Sequence, residues 1–129
     1  MISAALEKSS VMLNIGCGAV YFDAWVNIDN ESKQADLKLD VRSEFPFAEN
    51  SVDFIYNEHF IEHLKIHEAA EVLNNFYRVL KKDGVVRVAT GDLDYLVQRY
   101  LFAWKRQDWI HRYGYDWIQT RAEMLNICF

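Results

Sequence analysis

Five short apolar segments alternate with turn-rich or helical segments along the chain. They are Val11–Ile15, Trp25–Ile28, Asp36–Leu39, Val52–Tyr56 and Val85–Thr90. Short apolar runs bounded by turn residues are typical of buried strands. Strands that alternate with helices predict an α/β fold with a parallel sheet.

The segment between the fourth and fifth strands has the pattern of an amphipathic helix, from about His67 to Lys82. Its apolar residues recur at helical spacing: Ala69, Val72, Leu73, Phe76, Val79 and Leu80. Lys81 and Lys82 suit the negative end of the helix dipole. Asp83-Gly84 is a favourable sequence for ending the helix.

Residues 91–129 are rich in aromatic side chains and predict further helices. Asp92 is placed to cap one helix, and Thr120 with Glu123 has capping-box spacing for another. The inner side of the first helix is expected to carry Leu93, Leu96, Val97, Tyr100, Leu101 and Trp104. We expect one domain over residues 1–129, in which this aromatic extension forms core, a dimer contact or a substrate contact.

A glycine or polar residue follows each of the first four strands: Gly16, Asp29, Asp40 and Asn57. In open α/β sheets the ligand lies beyond the carboxyl ends of the strands. The pattern therefore predicts a nucleotide-like cofactor site at these four positions.

The turn Asn14-Ile15-Gly16-Cys17-Gly18 lets backbone amides approach a ligand, because its glycines have no side chain. Gly16→Val is therefore expected to block cofactor binding with little change in the fold. A carboxylate at Asp29 can accept hydrogen bonds from a ribose diol, and the alternative is a solvated turn aspartate.

Asp40 has two open interpretations. Its carboxylate could accept from an adenine amino group while Val41 or Leu39 packs on the ring, or it could cap the turn at residues 42–44.

The composition and charge of the chain argue against some classes of binding partner. A net charge of −5 and a pI near 5.3 argue against nucleic acid as the main ligand. No apolar stretch approaches the roughly 20 residues that cross a bilayer, and the first residues do not resemble a signal peptide. Cys17 and Cys128 are interpreted as reduced thiols of a cytoplasmic protein.

Two histidines have a spacing that occurs in metal sites, but the sequence does not favour a metal site here. His63 and His67 are four residues apart, but no third ligand stands at helical spacing. We therefore predict no metal site, and a polar core position for His63.

Several motifs occur in a characteristic order: Leu13–Gly18, Trp25–Asp29, Asp40 before Phe45-Pro46-Phe47, Phe60–Leu64, and Arg78–Val85. This ordered set resembles the class I S-adenosylmethionine-dependent methyltransferases, and in particular their type 11 group. The resemblance implies a Rossmann-like sheet of order 3-2-1-4-5 and S-adenosylmethionine as cofactor. The cofactor-binding residues that it implies are Asn14, Gly16, Cys17, Gly18, Asp29, Asp40, Val41 and Asn57.

The chain also departs from that family. Asn14 replaces an acid, and Val20 stands where many relatives have a third glycine. The connection from Gly18 to Trp25 is too short for the usual crossover helix. We expect no counterpart of the family's strands six and seven in this sequence, which would leave the fifth strand as an open edge. We expect the C-terminal helices or a second copy of the chain to cover that edge.

The resemblance places the residues after the fourth strand near the transferred methyl group. His59 is the first candidate base and Glu58 the second; the alternative is that both open a helix. Asn57 lacks the prolines that follow it in amino-group methyltransferases.

The expected function is methyl transfer to a small-molecule or saccharide-like acceptor. One alternative is a non-catalytic S-adenosylmethionine-binding protein. The other is an NAD-binding oxidoreductase, which Tyr21 at the last glycine position of that motif disfavours.

Overall fold

The computed structural model describes residues 10–43, 45–103 and 108–128. Its contacts divide the chain into two compact units, Met1–Thr90 and Gly91–Phe129. The single domain expected for residues 1–129 stays a prediction.

The first unit is built on a parallel sheet of five strands in the order β3-β2-β1-β4-β5. The strands are β1 (Met12–Ile15), β2 (Val26–Asp29), β3 (Leu37–Lys38), β4 (Val52–Glu58) and β5 (Leu80–Ala89). This confirms the predicted Rossmann-like α/β fold and its strand order. Ile15 lies opposite both Ile28 and Asn57, so β1, β2 and β4 deliver their carboxyl ends to the same level.

Three strands differ clearly in length from the sequence prediction. β5 begins at Leu80 and not at Val85, so Asp83 and Gly84, which were predicted to end the preceding helix, lie within this strand. β3 has only two residues, because Leu37 and Lys38 alone pair with Ile28 and Asp29. β4 continues past Tyr56 to Glu58, because its last residues keep pairing with β5. Asn57 therefore lies within β4 and does not follow it.

The helix before β5 is α1 (Ile66–Val79), which ends three residues before the predicted Lys82. The carbonyls of Arg78 and Val79 accept from the backbone N–H groups of Asn50 and Ser51, which ends the helix at that point. Lys81 then extends to Asp53, with its Nζ 2.8 Å from the carboxylate.

The core of the first unit lies between the sheet and one face of α1. Val72, Phe76 and Val79 of α1 are at most 1% exposed, and they pack with Leu13, Ile28 and other strand residues. Each large apolar side chain buried in this way contributes roughly 1.5–3 kcal/mol to folding. The apolar face of α1 therefore packs against the sheet, as the sequence pattern predicts.

No helix joins β1 to β2, as the short connection predicts. The fully buried Asn27 organises this connection through its side chain. Its Oδ1 accepts from Asn14 Nδ2 and Phe22 N at 3.0 Å, and its Nδ2 donates to Phe22 O and Asp36 Oδ2. Hydrogen bonds thus replace a helix in fixing the returning chain.

Aromatic side chains pack together beside this connection. Phe22 contacts Trp25 and Tyr56 with ring centroids 5.4 and 5.3 Å apart, and Trp25 contacts Phe54 at 5.4 Å. Such pairs add stability beyond the area they bury. The cluster thus packs the β1–β2 connection against β4.

The second unit contains α2 (Leu93–Gln98), a π-helical turn (Arg99–Ala103), α3 (Asp108–Arg112) and α4 (Arg121–Cys128). Both predicted caps are confirmed. Asp92 Oδ1 accepts from Tyr95 N at 3.1 Å. Thr120 and Glu123 form the reciprocal capping box.

The predicted inner side of the first of these helices is only partly correct. Leu96 is buried, whereas Leu93, Val97 and Leu101 are 46–58% exposed. The small core of this unit instead consists of Ile110, Ile118 and Met124, with Tyr100 packed against it. The periodicity of one helix could not reveal this choice of partners. Trp104 and Phe129 lie outside the described residues.

β5 lies at one end of the described strand order and carries exposed valines. Val85, Val86 and Val88 are 48%, 40% and 38% exposed. That the C-terminal helices or a second copy of the chain cover this strand stays a prediction. No helix within the described residues is long and apolar enough to cross a membrane.

We predict that Asn27→Ala lowers the free energy of unfolding by about 3 kcal/mol, because it leaves several buried polar groups without partners. Urea unfolding monitored by tryptophan fluorescence measures this change. Asn74→Ala, at an exposed position of α1, is the matched control and should change stability by less than about 0.5 kcal/mol. Equal effects of the two substitutions would contradict the role assigned to Asn27.

Candidate cofactor site

A cavity of about 270 Å³ lies at the carboxyl ends of the strands. Residues after β1, β2 and β3 form its walls, together with the segment that follows β4. Four of the predicted cofactor residues line it, namely Gly16, Asp29, Asp40 and Val41. Predicted residues from three separate strand ends therefore line the same cavity.

The other predicted site residues lie outside the lining of this cavity: Asn14, Cys17, Gly18, Asn57, Glu58 and His59. Asn14 and Asn57 are 2% and 0% exposed. Asn57 Nδ2 donates to Ile15 O at 3.1 Å and so ties β4 to β1. Its Oδ1 is buried without a hydrogen-bond partner among the described residues. A cofactor contact by any of these residues stays a prediction.

The glycine turn is folded onto β2. Gly16 N and Cys17 N both donate to Ile28 O, at 2.8 and 3.1 Å, and Gly18 N donates to Asp29 Oδ2 at 3.0 Å. These three amides therefore already have acceptors within the protein, in contrast to the expectation that they are presented to a ligand. Burial, followed by the charge of Asp29, raises the pKa of the Cys17 thiol.

Gly16 is required for packing as well as for access. It has a φ of 67°, and a Cβ at this position would lie 2.8 Å from Cδ2 of Phe60. Gly16→Val would therefore displace Phe60, so we expect a local change in packing, and the expectation of little change in the fold stays a prediction. Phe60 itself lines the cavity, a role that its place in the Phe60–Leu64 motif did not predict.

Asp29 shapes the turn through both carboxylate oxygens. Oδ1 accepts from Glu31 N and Ser32 N, each at 2.8 Å, while Oδ2 accepts from Gly18 N. Partial burial opposes ionisation, but these three backbone donors outweigh it and lower the pKa of Asp29. A carboxylate has about four acceptor sites, so one remains for a ribose hydroxyl.

Asp40 is engaged by Arg42. Its carboxylate accepts from Arg42 N, Nε and Nη2 at 2.7–3.0 Å, and these bonds lower the pKa of Asp40. The turn-capping interpretation of Asp40 is therefore realised in the structure, and the adenine contact stays a prediction. Val41, which is 3% exposed, supplies an apolar wall together with Leu39 and Ile28.

Glu58 and His59 do not open a helix, so that alternative is wrong. Glu58 ends β4, and its Oε2 accepts from Tyr56 Oη at 2.8 Å, which raises the pKa of Tyr56. His59 follows with a φ of 49°, and its Nδ1 lies 2.9 Å from Glu62 Oε1. A 3₁₀ turn over Ile61–His63 comes next.

His63 is exposed and lines the cavity, so its predicted core position is wrong. The 3₁₀ turn ends directly after it, which leaves its side chain at the cavity wall. No group of three or more His, Cys, Asp or Glu residues that could hold a metal occurs within the part of the chain that the structure describes.

A second, more open cavity of about 440 Å³ lies beside the glycine turn. Gly18, Ala19, Asp29 and residues 31–34 line it. The Ser32 hydroxyl donates to the carbonyl of Gly18 across this region. Asp29 is thus shared by both cavities, and Gly18 belongs to the second cavity alone.

Comparisons with known proteins agree with this geometry. A family model described as a methyltransferase domain matches residues 23–88. A crystal structure described as an S-adenosyl-L-methionine-dependent methyltransferase from Methanococcus maripaludis is similar in fold, with a TM-score of 0.51 and 17% identity. The match covers 98% of this chain and 70% of that one. Among curated proteins, no match to the chain was found.

We predict that Asp29→Asn lowers stability at neutral pH, because the amide cannot accept from all three backbone donors. The pKa of Asp29 is lowered in the folded state, so its contribution is present above the unfolded value of about 3.9 and is lost as the pH falls through the folded value. Urea unfolding at a series of pH values should show the difference from the parent shrinking on acidification.

The exposed Asp23→Asn is the control for that series, since it lies in the same connection and should leave stability unchanged. A difference between Asp29→Asn and the parent that stays constant down to pH 2 would contradict the assignment.

Proposed function

Because the chain belongs to the family of methyltransferase domains, we propose that it transfers a methyl group from S-adenosylmethionine to a small-molecule or saccharide-like acceptor. The observation that carries this proposal is the cavity at the strand ends, where Gly16, Asp29 and Val41 meet. A backbone without a side chain, a carboxylate and an apolar wall are the features that a nucleoside requires.

The residues present fit the adenosyl group of the cofactor. Leu39, Val41, Phe60 and Leu64 line the cavity and offer apolar surfaces for a purine ring. Asp29 keeps one acceptor site for a ribose hydroxyl. Pockets for small molecules usually have about 300–1,000 Å³, so we expect this cavity to hold the nucleoside and not the whole cofactor.

The buried Asn57 supports the site through the backbone. Its Nδ2 donates to Ile15 O at 3.1 Å and so holds the carboxyl ends of β1 and β4 together beside Gly16. Asn14 contributes indirectly, because its Nδ2 bonds Asn27 and Val20 O.

The protein does not need to activate the methyl group, because the sulfonium of S-adenosylmethionine already makes it electrophilic. The protein aligns the acceptor with the methyl group and excludes water. A base is needed only where the acceptor must lose a proton. His59 is our candidate for that role, since Glu58 is already engaged by Tyr56.

We predict that Asp29→Ala weakens binding of S-adenosylhomocysteine by about 1–3 kcal/mol, which is roughly 5- to 150-fold in Kd. Isothermal titration calorimetry measures this change directly. The loss of affinity has two causes. The ribose hydroxyl loses its partner, and the backbone N–H groups of Gly18, Glu31 and Ser32 lose the carboxylate that accepts their hydrogen bonds.

Asp53→Ala is the matched control. The Asp53 carboxylate also accepts a hydrogen bond from a backbone N–H, that of Val11, and forms an ion pair with Lys81, but it lies near the opposite end of β4. It should lower stability and leave binding unchanged. Equal binding by Asp29→Ala and the parent would contradict the ribose assignment. Binding of NAD in place of S-adenosylhomocysteine would contradict the proposed function.

A further inference from the structure

One side-chain pair near the cavity has no evident role in folding. His59 Nδ1 lies 2.9 Å from Glu62 Oε1. The His59 side chain is 65% exposed, whereas that of Glu62 is only 9% exposed. The pair therefore joins a buried carboxylate to an imidazole that extends into solvent.

The hydrogen bond determines the tautomer of His59. An ionised carboxylate only accepts hydrogen bonds, so the proton between the two groups belongs to Nδ1 of the ring. In the neutral imidazole, Nε2 then carries the lone pair. In triad-type active sites, a third group orients the general-base histidine in the same way.

The pair also carries local costs that its contacts do not offset. His59 has a φ of 49°, a left-handed conformation that is unfavourable for a residue with a Cβ. Glu62 Oε2 is buried without a hydrogen-bond partner among the described residues. Costs of this kind are concentrated at functional sites, where the surrounding structure holds them in place.

The position of the pair suits an acceptor that approaches beside the cofactor. His59 N donates to Ala89 O at 3.0 Å, so the residue spans the ends of β4 and β5. The neighbours in sequence, Phe60 and His63, line the cavity that opens toward β1, β2 and β3. The exposed ring of His59 therefore lies on the β4–β5 side of the predicted adenosyl site.

We propose that Glu62 is a positioning residue that holds His59 as a general base for a hydroxyl-bearing acceptor, an inference that rests on the proposed function. The acceptor's O–H proton passes to His59 Nε2, and an oxygen lone pair forms the new O–CH₃ bond. The C–S bond breaks, and its electron pair stays on sulfur, which leaves S-adenosylhomocysteine. The Glu62 carboxylate stabilises the imidazolium until the proton passes to solvent.

The test uses the full chain with ¹⁵N-labelled histidine and compares the parent with Glu62→Leu. Long-range ¹H–¹⁵N spectra of the neutral ring report which nitrogen carries the proton. The parent should show the Nδ1–H form at His59, and Glu62→Leu should lose it. Glu62→Gln, which keeps an acceptor oxygen, should restore it. An Nε2–H form in the parent would overturn the proposal.

Diethyl pyrocarbonate, followed by peptide mass spectrometry, tests the availability of His59 Nε2. With the ring neutral, modification of His59 should be slower in Glu62→Leu than in the parent, because the ring can then carry its proton on Nε2, which leaves that nitrogen without a lone pair. The exposed His67 of α1 is the internal control and should react equally in both proteins. Equal rates at His59 would overturn the proposal.

Thermal unfolding distinguishes positioning from a structural role. Glu62→Leu removes a buried oxygen without a partner, so the variant should be at least as stable as the parent. A strong loss of stability together with an unchanged His59 tautomer would show a structural role and overturn the proposal.

S-Adenosylhomocysteine binding separates this inference from the proposed function. Glu62→Leu should bind it within about twofold of the parent, because neither residue lines the cavity. If the parent does not bind S-adenosylhomocysteine, the proposed function fails, while the tautomer and the modification rates still report on the pair. Loss of binding in Glu62→Leu alone would overturn the assignment of Glu62 to the acceptor side.

Discussion

The backbone carbonyl of Ile28 holds the glycine turn in place, because it accepts from both Gly16 N and Cys17 N. The adjacent Asn27 fixes the remainder of the connection through its buried amide side chain. Together these two residues of β2 allow parallel strands to be joined without a crossover helix. The cavity at the strand ends depends on this constraint, because Gly16 and Asp29 form parts of its wall.

Because the glycine turn is folded onto β2, Asp29 has both a structural role and a place in the cavity wall. Its carboxylate closes the turn through Gly18 N and also faces the cavity, so cofactor affinity and local stability are coupled in one residue. Phe60 is coupled in the same manner, since it packs against Gly16 and lines the cavity. In this protein the cofactor site and the β1–β2 connection are therefore one structural unit, and a substitution in either is expected to affect both.

The sheet order, α1 and the positions of Gly16, Asp29 and Val41 could be predicted because they follow from short-range periodicity and from motifs at strand ends. Other features depend on contacts between residues that are distant in sequence. The bond of Asn27 to Asp36 and the packing of Phe60 on Gly16 have no local signature. Burial of Asn14 and Asn57 was missed for the same reason, since a polar residue at a strand end gives no sign of which direction its side chain faces.

The assignment of an adenosyl site to the carboxyl ends of β1, β2 and β3 can be tested with a crystal structure of the full chain in complex with S-adenosylhomocysteine. We expect the adenine ring between Val41 and Phe60, with a ribose hydroxyl bonded to Asp29. Density for the ligand elsewhere, for example in the cavity beside Ser32 and Lys33, would show that the assignment is wrong.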